Sequence, residues 1–121
     1  MNFGSVLTSS RVGWVGDRGL WAELPPYGIL LAHWDGDSGL YQTKFGWFRA
    51  DPGQVFLTAL PVGGRVAPFQ GDAGTVPEYG PTGFTPSILR FARLGCWKVT
   101  GILGRSRLDL VMSVELMPDM P

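Results

Sequence analysis

Residues Thr85 to Leu116, TPSILRFARLGCWKVTGILGRSRLDLVMSVEL, constrain the fold more than any other stretch of this chain. They hold three apolar runs, and the last two alternate with a period of two. Strict alternation is the mark of a half-buried strand. Gly95-Cys96-Trp97 forms a Gly-x-aromatic corner at the start of the second run. A two-residue turn at Gly104-Arg105 pairs Leu103 with Ser106, Gly101 with Leu108, Val99 with Leu110 and Trp97 with Met112. All the apolar side chains then share one face, and a one-residue slip would turn one arm's core residues to solvent. Gly first in a two-residue loop suits a type II′ turn. Lys98, Thr100, Arg107 and Asp109 fall on the other face, which is expected to be wet. Such a corner and hairpin read as the last strands of an immunoglobulin-like sandwich.

The rest of the chain reads as more short strands. The chain has 121 residues, enough for one domain with a real core. Eighteen glycines and ten prolines point to many turns rather than helices. Strands are expected at Gly19–Leu24, Tyr27–Trp34, Leu40–Arg49 and Gln54–Leu60, with short ones near Val12–Val15 and Arg65–Phe69. Tyr27–Trp34 is nearly all apolar and reads as a buried strand. Asp35–Gly39 and Asp51-Pro52-Gly53 are turns. Residues 61–86, rich in Gly and Pro, are the least regular part. The fold class is therefore all-β: a two-layer antiparallel Ig-like β-sandwich of about seven strands. Its expected limits are a loosely ordered lead-in over 1–18, the sandwich over 19–116 and a tail over 117–121.

Composition excludes some function classes. Ten basic residues balance ten acidic ones. No basic field is available for nucleic acid or an anionic membrane. The arginines at 90, 93, 105 and 107 are followed by Asp109 and Glu115 and read as a solvated face. One cysteine excludes an internal disulfide. No apolar run approaches the roughly 20 residues of a membrane span. The N-terminus has no basic start followed by an apolar stretch of secretory length.

The segment PSILRFARLGCWKVTG (86–101) resembles the C-terminal motif of an uncharacterised group of bacterial secreted or lipoprotein-type proteins with an Ig-like domain. That motif runs Pro-Ser, apolar-x-Phe, then Gly-Cys-Trp-x-Val-Thr-Gly and a final strand. LWAELPPYG, TKFGWFR and EYGPTGF are similar to upstream pieces of the same group. Leu94 stands where the group often has Pro, and Lys98 where it often has an acid. The resemblance implies an Ig-like sandwich in an extracellular or cell-envelope location and implies no particular activity. The start of the chain leaves a cytoplasmic location open.

Candidate chemistry is sparse. Asp35 and Asp37 resemble the start of a calcium loop, but no acid stands twelve residues on, so the reading is a turn. His33 is the only histidine and has no His/Cys partner at metal spacing. Cys96 has no basic neighbour in sequence to activate it except Lys98. Met112 belongs to the core stripe, and Met117 and Met120 to the tail, so a copper(I) set is not expected. Five Trp exceed what one core of this size needs. Trp14, Trp21, Trp34 and Trp47, with Tyr27, Tyr41 and Tyr79, could supply a carbohydrate-stacking platform. No Ser-His-Asp set or phosphate loop is present, so an enzyme is not expected, nor is a cofactor.

The expectation is a non-enzymatic extracytoplasmic interaction or structural module. The alternative is a small-ligand domain, for carbohydrate or metal, using the surplus aromatics or His33. The partner would be an unknown protein or small ligand. The expected contacts are Trp34, Asp35, Asp37, Tyr79 and Phe84. Gly95, Trp97, Gly104 and Met112 are the expected structural positions.

Overall fold

The structure is a computed structural model and describes residues 10–11, 13–73 and 80–118. It is all-β, with ten strands: β1 (Ser10–Arg11), β2 (Trp14–Asp17), β3 (Leu20–Glu23), β4 (Ile29–Asp35), β5 (Leu40–Arg49), β6 (Phe56–Pro61), β7 (Phe69–Asp72), β8 (Gly83–Phe91), β9 (Gly95–Leu103) and β10 (Ser106–Leu116). The described residues contain no α-helix, only a 3-10 turn at Pro26–Gly28. None of their segments is a helix long and apolar enough to cross a membrane.

Two ladders account for the pairing. The first runs β1-β2-β3-β5-β8-β7 and is antiparallel throughout. The second runs β6-β9-β10-β4. It is antiparallel except for β4, which lies parallel to β10, with Ile29 opposite Ser113 and Ala32 opposite Leu116. β4 then changes allegiance, and His33–Asp35 pairs antiparallel with Leu40–Gln42 of β5. Where about seven antiparallel strands are expected from the sequence, the described residues thus form ten, one pair of them parallel.

The cause lies at Leu24–Gly28. Pro25 and Pro26 cannot donate to a ladder, so β3 ends there. Tyr27 and Gly28 both have positive φ, 57° and 70°, which redirects the chain towards the second ladder. The segment before β5 is thereby split between the two ladders, β3 in the first and the first half of β4 in the second. Alternation corrects the buried reading of Tyr27–Trp34. Leu30 and Ala32 are buried, while Leu31, His33 and Trp34 are exposed. Near the expected short strand at Val12–Val15 the described residues do pair. Trp14–Asp17 forms a strand paired with β3, and Val15 is in the core.

The closing hairpin has the register read from the sequence, from Leu103 opposite Ser106 to Trp97 opposite Met112. Gly104 has φ 58°, and Arg105 is not among the positive-φ residues, as a type II′ turn requires. Trp97, Val99, Leu108, Leu110, Met112 and Val114 are buried. The Trp97 indole N–H donates to the Arg93 carbonyl at 3.0 Å, and its ring meets Phe91 edge-on at 5.1 Å. The opposite face is drier than expected at Thr100. This residue is buried and donates to Asp109 at 2.6 Å.

The two ladders meet through one core. Trp47 of the first lies over Gly101 of the second, where an added Cβ would sit 2.6 Å from the indole. Its N–H donates to Ser87 Oγ at 3.0 Å, and Ser87 donates on to the Phe45 carbonyl at 2.7 Å. A buried indole is thus satisfied without water. Arg49, also buried, donates to the carbonyls of Gly53 and Gly80 at 2.9 and 2.8 Å, and more weakly to those of Thr82 and Gly83. It ties the turn at Gly53 and the C-terminal end of the least regular stretch to one strand. At the same end the hairpin tip docks on the β2–β3 turn, through Gly19 N–H to Ser106 Oγ and Arg107 N–H to Asp17.

Candidate functional site

Successive residues of a strand point to opposite faces, so a buried inner row implies an outer row between its members. On β5 the inner row is Thr43, Phe45, Trp47 and Arg49, and the outer row is Gln42, Lys44, Gly46 and Phe48. Cross-strand register extends the outer row sideways. At one end of β5, His33, Gln42, Arg90 and Gln70 lie abreast. At the other end, Gly16, Trp21, Phe48 and Phe84 lie abreast on β2, β3, β5 and β8. One face of one sheet is therefore polar at one end and aromatic at the other.

Packing shapes the aromatic end. The Trp21 indole lies flat on Gly16, where a Cβ would overlap the ring. Phe84 leans over Gly46, with an added Cβ 2.8 Å from its ring. Covering a bare strand glycine with a ring is a stabilising device in its own right. Phe48 covers no glycine. It meets Trp14 edge-on, 6.3 Å between centroids, and is 42% exposed. Phe84 is 44% exposed.

A notch opens beside these rings. β3 pairs with Trp47–Arg49 and β4 with Leu40–Gln42, so no described strand pairs with β5 between them on that edge. The resulting cleft is about 300 Å³, with Pro25, Pro26, Leu30 and Gly46 in its walls and Glu23 and Lys44 as its charged groups. Tyr27, directly after these prolines, is 97% exposed and has φ 57°.

The expected contact residues do not form one site. Only Phe84 belongs to the aromatic end. Trp34 sits near the other end of β5, edge-on to Tyr41 at 5.1 Å. Seven residues of strand separate Tyr41 from Phe48, roughly 23 Å. Asp35 and Asp37 are in the turn after Trp34. Asp35 accepts from the Ser38 hydroxyl at 2.6 Å and from the Asp37 N–H at 3.3 Å, and Arg90 lies 3.7 Å away. The Ser38 hydroxyl, helped by the Asp37 and Ser38 N–H groups and Arg90, holds the Asp35 carboxyl below its ordinary pKa range against the opposing effect of desolvation. The carboxylate is thus engaged within its own turn. Tyr79 lies outside the described residues.

Among the other candidates, Trp47 is a core residue and is corrected as a platform member. His33 is exposed in the polar row. No group of three or more metal-capable His, Cys, Asp or Glu side chains occurs among the described residues. Trp97 and Met112 are buried, and Gly95 and Gly104 take positive φ at their corners. Phe48, Glu23 and Lys44 do not stand out in the sequence. The signal for Phe48 is the alternation of LYQTKFGWFR, which forces the neighbours Trp47 and Phe48 onto opposite faces. Comparison with protein-family models, curated proteins and solved structures found no match.

Proposed function

We propose that this chain is an Ig-like two-layer sandwich acting as a non-enzymatic binding module, with the aromatic end of its outer face as the contact surface. The strand order supports the architecture. Seven-stranded Ig domains place A, B, E and D in one sheet and C, F and G in the other. The order β4-β5-β8-β7 fits the first set and β6-β9-β10 the second. β3 and β4 together then serve as a split A strand. The hydrogen bond from Trp97 back to Arg93 takes the part that a tyrosine corner plays in such folds. The likeness of residues 86–101 to the secreted and lipoprotein-type group supports a place outside the cytoplasm.

One observation carries the functional reading. Trp14, Trp21 and Phe48 lie outside the core on one sheet face, and Phe48 has no glycine to cover. Large rings at such positions suit contact with a partner better than internal packing. The test is stability. Phe48→Ser should cost no more than about 1 kcal/mol, the worth of a cross-strand pair. A loss as large as that of a core truncation, measured by urea unfolding, would make the band structural and end this reading.

A further inference from the structure

We infer that the aromatic end and its notch bind a neutral, extended glycan chain of β-linked pyranose units; this rests on the contact-surface reading above. A pyranose ring in the β-gluco configuration has two apolar C–H faces and a rim of hydroxyls. Recognition needs flat aromatic faces for the first and charged or polar groups for the second. Both are present and adjacent. Trp21 offers an indole held flat by Gly16. Phe48 and Phe84 continue the row on the next two strands. Strands are about 4.8 Å apart, so the row spans about 10 Å, enough for more than one sugar ring. Glu23 and Lys44 in the notch supply an acceptor and a donor for hydroxyls.

The chemistry of the patch disfavours other occupants. A nucleic acid would meet a carboxylate in the notch and a chain with no net positive charge. Aromatic rings also serve protein partners, but the carboxylate and ammonium set beside flat rings match the hydroxyl rim and C–H faces of a sugar. Tyr27 is a further exposed ring near the notch in sequence. It holds the left-handed conformation that turns the chain towards the second ladder, and its side chain is almost wholly in solvent. It directly follows the prolines of the notch wall, so an exposed phenol ring stands next in sequence to the cleft.

The experiment uses the whole chain. Native gels cast with soluble hydroxyethyl cellulose should retard it, and a β-1,4-linked glucose hexasaccharide should shift its tryptophan emission. Trp21→Ala and Phe48→Ala should each weaken binding by about tenfold or more, the equivalent of one lost stacking contact. Tyr27→Ala should weaken it less, and Trp34→Ala, at the far end of β5, should leave it unchanged. Circular dichroism of each variant establishes that it is folded. No retardation and no emission change with the folded parent protein would overturn the glycan assignment. Equal binding by the folded Trp21 and Phe48 variants would overturn it too. If Phe48→Ser is as stable as its parent and no glycan binds, the contact surface survives and the glycan does not. If Phe48→Ser unfolds like a core variant, both fall.

Discussion

Trp47 and Phe48 are neighbours in sequence and opposites in environment. Trp47 is buried, hydrogen-bonded to Ser87 and packed over Gly101. Phe48 stands on the outer face, touching Trp14 at its edge. The same contrast separates Trp97 from Trp21. Each indole has a satisfied N–H, to the Arg93 carbonyl in one case and the Arg18 carbonyl in the other. Each depends on nearby backbone, yet one closes the core and the other covers only the outside of a sheet. An aromatic count therefore says little about a site. Strand parity decides which rings are core and which are available to a partner.

Truncation breaks the comparison most sharply. Trp97→Ala and Trp47→Ala should each cost about 3–5 kcal/mol, enough to leave a small domain largely unfolded. Trp21→Ala should cost clearly less, and urea midpoints for the three rank them. A Trp21→Ala loss equal to that of Trp97→Ala would erase the distinction between the faces.

A gentler probe adds one methyl group beneath a ring on either side. At Gly101 the new Cβ meets the Trp47 indole at 2.6 Å and Leu20 at 3.4 Å, in a packed interior. Gly101→Ala should therefore cost about 1–3 kcal/mol through overpacking. At Gly16 the overlap with Trp21 is closer still, but that indole can swing into solvent. Gly16→Ala should cost under about 1 kcal/mol. Thermal unfolding of the pair checks the order, and a larger loss at Gly16 would contradict it.

The smallest effect concerns the outer face of the second ladder. Desolvation alone would raise the Asp109 pKa, but hydrogen bonds from Thr100 and Arg107, with the charges of Arg107 and Lys98, outweigh it and hold the carboxyl below its ordinary range. A carboxylate depressed in the folded state adds stability above its unfolded pKa, about 3.9, and loses it as pH falls through the folded value. Stability should decline on acidification below about pH 4. Asp109→Asn should be less stable at neutral pH and show a shallower acid decline. Parallel pH profiles for the two proteins would refute this.

Alternation alone makes the closing hairpin legible in the sequence. Each register pair from Leu103–Ser106 to Trp97–Met112 follows from it, because only one register buries every apolar side chain. β5 is legible to its last residue for another reason, as an aromatic-rich run bounded by turn residues. The split first strand is not. Pro25-Pro26 marks an end, but where the chain goes next depends on Tyr27 adopting positive φ, a conformation that its residue type does not announce. The parallel pairing of β4 with β10 is illegible too, since Leu30 and Ala32 alternate alike in either direction. The candidate site is the least legible part. Phe84 stands among the expected contacts, but Phe48, Glu23 and Lys44 gain meaning only when β3, β5 and β8 lie side by side. The loop aspartates look like ligands because spacing cannot show that Ser38 and Arg90 already engage Asp35.

The parallel pairing also orders events in time. β4 emerges about eighty residues before its partner residues Ser113–Leu116, the span from Ala32 to Ser113. At roughly 5–20 residues per second, several seconds separate them. Throughout that interval β4 presents an open edge, a template for pairing with the wrong chain. The last turn of the zip is made by the Met117 N–H, which reaches the Ala32 carbonyl at 2.7 Å. A nascent chain stalled before Ser113 should thus be cut readily by a protease that the released protein resists.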